Sequence, residues 1–117
     1  MLNTTKTEGA SGPVYSASVA LQGGIGQQVL PALPGATQNK YRIVGAQVSV
    51  GRDTTVYIYH GTDATKKVVV GAIFKAAAPP ASFEFGDWAV NQAASNEPVQ
   101  CDNANGNVVI TLQYQLL

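Results

Sequence analysis

Few residues in this chain could carry out chemistry. His60 is the only histidine and Cys101 the only cysteine, so a His/Cys metal site, which needs several such ligands, is too poorly supplied. His60 ends a strand-like run beside Gly61 and reads as a surface or turn residue. Cys101 lies in Val99-Gln100-Cys101-Asp102 with no base nearby, and reads as a small buried hydrophobe. A Ser-His-Asp triad lacks a Gly-x-Ser-x-Gly elbow. Asp102-Asn103-Ala104-Asn105-Gly106-Asn107 suggests a calcium loop, but Ala104 holds the third position and Gln113 the twelfth. A hairpin turn at Asn105-Gly106 accounts for those residues better. Glu84 and Asp87 stand three apart around Gly86, whereas glycosidase carboxylates come from separate elements lining one cleft. Trp88, Tyr57, Tyr59 and Tyr114 raise a carbohydrate platform; core or intersubunit packing is the plainer use of such rings. No enzyme, metal or cofactor is expected.

The elements that must hold these residues are strands. Tyr41–His60 consists of two alternating runs around Gly51-Arg52-Asp53, with Val44, Ala46, Val48 and Val50 on one face of the first and Val56 and Ile58 on one face of the second. Period two predicts strands, and the short break predicts a hairpin. If Val56 and Ile58 face the core, Tyr57 and Tyr59 form an outer patch. Further strands are expected at Val14–Leu21, Gln27–Leu30 after a turn at Gly23–Gly26, Lys66–Phe74, Ser82–Phe85, Val99–Asp102 and Asn107–Leu116. In Lys66–Phe74 the continuous Val68-Val69-Val70 followed by Gly71 predicts two covered faces or a bulge. Pro79 and Pro80 stop any central strand there. Met1–Pro13, rich in Thr, Gly, Ser and Asn, predicts a flexible arm ahead of one domain over 14–117. About eight short strands predict an all-β antiparallel sandwich of jelly-roll topology; an immunoglobulin-like sandwich is the alternative, though its Cys…Trp…Cys pattern is missing.

Charge narrows the partners. The chain has 117 residues with seven bases and seven acids, so no net field favours nucleic acid or an anionic membrane. No apolar run reaches the roughly 20 residues of a membrane-spanning helix. The start lacks the apolar stretch of an export signal, and the lone cysteine permits no internal disulfide, which suits assembly in a reducing cytosol. Charged residues make up only 12%, about half the usual quarter, which suggests a surface partly covered by a partner. Residues 40–75 carry Lys40, Arg42, Arg52, Lys66, Lys67 and Lys75 against Asp53 and Asp63. Residues 84–102 carry Glu84, Asp87, Glu97 and Asp102 and no base. Placed at different edges, these segments would make a basic and an acidic side suited to head-to-tail packing.

Read in order, Lys40-Tyr41-Arg42-Ile43-Val44, Thr55-Val56-Tyr57-Ile58-Tyr59-His60-Gly61-Thr62, Gly71-Ala72-Ile73-Phe74, Gly86-Asp87-Trp88 and Val109-Ile110-Thr111-Leu112-Gln113-Tyr114 follow a polar arm and a Ser/Ala/Val strand. The chain in this respect resembles the small jelly-roll decoration (cement) proteins of tailed-bacteriophage capsids, over about residues 14–117. Pro31–Pro34 and Ala76–Ala81 have no counterpart in that pattern. The resemblance implies a homotrimer, made in the host cytoplasm, that sits outside a phage head and bridges major capsid protein subunits. It carries over no catalytic residue. Trp88, Tyr57, Tyr59, Arg42, Arg52 and Asp87 are the candidate interface residues. A carbohydrate- or receptor-binding head of a fibre or tail is the alternative.

Overall fold

In a computed structural model the chain is described at residues 13–76, 79–85, 94–104 and 106–117. Asp87, Trp88, Asn105 and the expected arm, Pro13 apart, lie outside them. Among the described residues there are eight strands: β1 (Tyr15–Leu21), β2 (Gly24–Leu30), β3 (Tyr41–Val50), β4 (Thr54–His60), β5 (Lys67–Phe74), β6 (Ala81–Glu84), β7 (Val99–Asn103) and β8 (Val108–Leu116). They form two antiparallel four-stranded sheets, β1-β8-β3-β6 and β2-β7-β4-β5. This interleaved order is that of a jelly roll, and the immunoglobulin-like alternative falls away.

The expected hairpin over Tyr41–His60 is not one. β3 and β4 belong to different sheets, and Gly51–Asp53 carries the chain across the end of the sandwich. Alternation identifies a strand but not its partner, and both sheets must turn an apolar row to the same core. The turn at residues 104–107 likewise crosses between sheets, from β7 to β8. The two corners support each other: Gly51 N–H donates to Asn107 O at 2.8 Å. The aliphatic stem of Arg52 lies on Gly106, whose φ of 77° suits glycine. Of the strands that follow one another in sequence, only β4 and β5 pair with each other.

The core lies between the sheets. From β8 come Val108, Ile110 and Leu112, from β3 Ile43, Ala46 and Val48, from β4 Val56 and Ile58, and from β7 Val99 and Cys101. Two bulges set which face each residue takes. In β3 the register shifts between Ile43 and Gly45, so Val44 does not continue the row of Ala46 and Val48; Tyr41 and Ile43 are buried instead. In β5 the shift opposite Ile58 and Tyr59 makes Val69 the extra residue, which is the bulge read in the triple valine. β2 begins at Gly24, earlier than the turn expected there, and its register shifts twice. Pro31, unmatched in the resemblance, is tied down by the Tyr41 hydroxyl, which donates to its carbonyl at 2.5 Å.

Gly61 opens the β4–β5 hairpin with φ of 97°, and a Cβ there would stand 2.9 Å from the Thr65 carbonyl oxygen. Gly61→Ala is therefore expected to cost about 1–3 kcal/mol, since backbone must yield. Urea unfolding checks this; an unchanged midpoint would mean that the loop adapts freely.

Candidate interaction surfaces

The second sheet turns Tyr57, Tyr59, Gln100 and Asp102 outward, because Tyr57 opposes Asp102 and Tyr59 opposes Gln100 in register. The expected tyrosine patch is only half realised. Tyr57 is exposed, while Tyr59 is fully buried on this outer face. Its hydroxyl donates to Asp102 Oδ1 at 2.6 Å, and Lys66 Nζ lies 4.9 Å from its ring centre. Asp102 Oδ1 also accepts the Gly26 N–H at 2.8 Å, and Oδ2 accepts Lys66 Nζ at 2.8 Å. Lys66 reaches Asp63 at 2.8 Å as well. Burial pushes the Asp102 carboxyl up, but the hydrogen bonds from Lys66, Tyr59 and Gly26 and the Lys66 charge outweigh it and hold it below its ordinary value. Burial and Asp102 hold the Tyr59 hydroxyl proton well above its usual range.

Tyr57 lies across β5 against Gly71, where a Cβ would come 2.9 Å from the ring. The glycine that interrupts the valine run makes room for that ring, an aromatic covering a backbone left bare on the sheet. Around it Val68 and Ile73 are exposed, as is Ile25 across the sheet on β2. A recess of about 280 Å³ is lined by Ile25, Thr55, Tyr57, Lys66, Asp102 and Asn103. These residues come from β2, β4, β7 and the turn before β5, and no sequence spacing announces the group. Ile73 could have been read as outward from Ala72 and Phe74, but the bulge at Val69 hides the phase.

The first sheet has a different outer face. Its cross-strand rows run Ser18, Thr111, Gln47 and Ser82, then Ser16, Gln113, Gly45 and Glu84, then Ala20, Val109 and Ser49. Ser18 Oγ and Thr111 Oγ1 are 2.7 Å apart across the strands. In these rows Glu84, at one corner, is the one charge.

Several expected site residues take other places. Arg42, an expected interface residue, faces outward on β3 opposite Gln115 but is buried, and its Nη1 donates to Gln115 Oε1 at 2.7 Å. Arg52 is exposed at the sheet-crossing corner. His60 is also buried, because it continues the inward row of Thr54, Val56 and Ile58 and pairs on both sides with Val99 and Lys67. The basic and acidic segments do not make opposite sides. Lys66 pairs with Asp102 and Lys67 with Glu97, each at 2.8 Å, because the loop before β5 packs beside β7 and its approach. Cys101 is fully buried as expected, and burial together with Asp102 pushes its thiol up to about 12, far from a thiolate at neutral pH. Among the described residues no three His, Cys, Asp or Glu side chains gather as a metal site.

No family model matches the chain, and no curated protein matches it. Five chains of solved structure do match. One, from "Bacillus endospore appendages form a novel family of disulfide-linked pili", is similar with a TM-score of 0.39 and 14% identity, over 99% of this chain and 100% of that one. A superposition that loose carries no argument about this protein.

Proposed function

We propose that this chain is a structural virion protein, a decoration or cement protein that binds as a homotrimer outside a phage head and bridges major capsid protein subunits. The observation that supports this reading best is the outer face of the β1-β8-β3-β6 sheet, whose charges are Glu84 at one corner and Arg42, which is buried and held by Gln115. Charge is depleted where protein surfaces meet, because desolvating an ion costs more than the new contact returns. Small hydroxyls, amides and methyls can instead be covered with their hydrogen bonds remade. Three such faces in one trimer would add through effective concentration, so a modest contact per copy, on the order of 800 Å² a side, would hold firmly. Light scattering after size exclusion is expected to report a trimer or two trimers joined; a stable monomer overturns the reading. Protein added back to bare virions is expected to restore their resistance to heat or chelator.

One observation favours the receptor- or carbohydrate-binding alternative: the half-exposed Tyr57 ring beside the recess at Asp102 and Asn103. Against it, Asp102 already accepts from Gly26, Tyr59 and Lys66, leaving little of the carboxylate for sugar hydroxyls. Binding on a glycan array that Tyr57→Ala abolishes would favour this alternative over the first reading.

A further inference from the structure

We infer that β1 is a self-pairing edge, through which a second copy of this chain joins antiparallel about a two-fold axis at Ser18. Among the described residues the four outer edges of the sandwich are β1, β6, β2 and β5. Three are blunted in ways that discourage pairing. β6 has four residues and follows Pro79 and Pro80; β2 is broken by two register shifts; β5 bulges at Val69, with Lys67 and Lys75 at its ends. β1 pairs with β8 without a break from Tyr15 to Leu21, and holds no proline, glycine or charge. Among the described residues nothing pairs with its other side, so alternate backbone N–H and C=O groups there have no strand partner.

The sequence of β1 specifies the occupant. Ala17, Val19 and Leu21 face the core, and Ser16, Ser18 and Ala20 face out. Ala17 and Val19 are only partly buried and Tyr15 is exposed, so the apolar row stays open at this edge. An antiparallel second β1 centred on Ser18 would set Tyr15 against Leu21, Ala17 against Val19 and Ser16 against Ala20. Apolar then meets apolar on the core side, and small meets small on the outer side. With no charge on the strand, no like charges oppose. The uncharged rows of β1 and β8 would run on across both copies. This contact goes beyond the proposed trimer and does not require it; in a trimer it would join one trimer to the next.

The test places charge on the two-fold. Ser18→Lys and Ser18→Glu are each expected to halve the mass of the wild-type assembly in light scattering, because like charges then face each other directly. An equimolar mixture of the two is expected to restore it, which a folding defect could not do. Ser18→Cys is expected to crosslink under mild oxidation, since directly opposed strand residues lie within disulfide reach; Gln28→Cys, exposed on β2, is not. A wild-type trimer unchanged in mass by both charges, with Ser18→Cys failing to crosslink, overturns this contact and leaves the decoration reading intact. A wild-type dimer that both charges dissolve does the reverse.

Discussion

Replacing Ile58 with alanine is expected to lower the unfolding free energy by about 3–4 kcal/mol, from the 2–5 kcal/mol range for emptied core sites. Ile58 is fully buried at the middle of the β2-β7-β4-β5 sheet, with Cys101 and Val70 as its cross-strand neighbours. Two features keep the site from collapsing after truncation. Ile58 is held on both sides by strand pairing, and its cross-strand neighbours Val70 and Cys101 are themselves buried. The lost methyl groups would leave a void that rigid sheets cannot close. A loss of this size removes a large share of the 5–15 kcal/mol typical of a domain. Urea unfolding should show a lower midpoint at an unchanged slope. A change under about 1 kcal/mol would mean that the two sheets are not packed as described.

Asp102→Ala is expected to cost about 2–4 kcal/mol, the next largest effect. The substitution strips an acceptor from the Tyr59 hydroxyl, the Gly26 N–H and Lys66 at once. Tyr59 is fully buried, so its hydroxyl cannot turn to water and keeps only the long contact to Gln100 Oε1 at 3.5 Å; a poorly satisfied buried donor costs more than a lost exposed contact. Tyr59→Phe, which removes donor and need together, should cost less than Asp102→Ala. The same carboxylate makes stability depend on acid. Its folded pKa lies below its unfolded value of about 3.9, so the unfolded chain binds protons first as pH falls. The stabilisation is thus complete above about pH 5 and is lost as pH drops through the folded pKa. Glu97, also held low despite its burial by Lys67 and the Ala94 N–H, adds in the same sense. Unfolding followed between about pH 6 and pH 3 should show this decline, shallower in Asp102→Ala though not flat, because Glu97 remains. Equal slopes in both proteins would mean that Asp102 is not protected as described.

Composition and period two were enough to specify strands here. Val108, Ile110 and Leu112 stand on the face their alternation required, and Cys101 is buried as its apolar surroundings demanded. Turn residues marked most strand ends, since glycine and proline act on the local backbone. Partners were not legible. Whether Gly51–Asp53 returns the chain along the same sheet or carries it to the other depends on where β8 lies, more than fifty residues later. The buried Arg42, His60 and Tyr59 share that cause. Each reads locally as an exposed polar position at a strand end or on an outer face, and each is covered by elements remote in sequence. The salt bridges between Lys66 and Asp102 and between Lys67 and Glu97 likewise join segments whose charges, counted along the chain, seemed to belong to opposite sides. Local pattern determined that this chain would fold into strands around one apolar core, because side-chain alternation is a property of neighbours. Which charges meet, which rings stay exposed and which edge lies open were decided by the interleaving of two sheets, because register across strands is set only when distant segments pack.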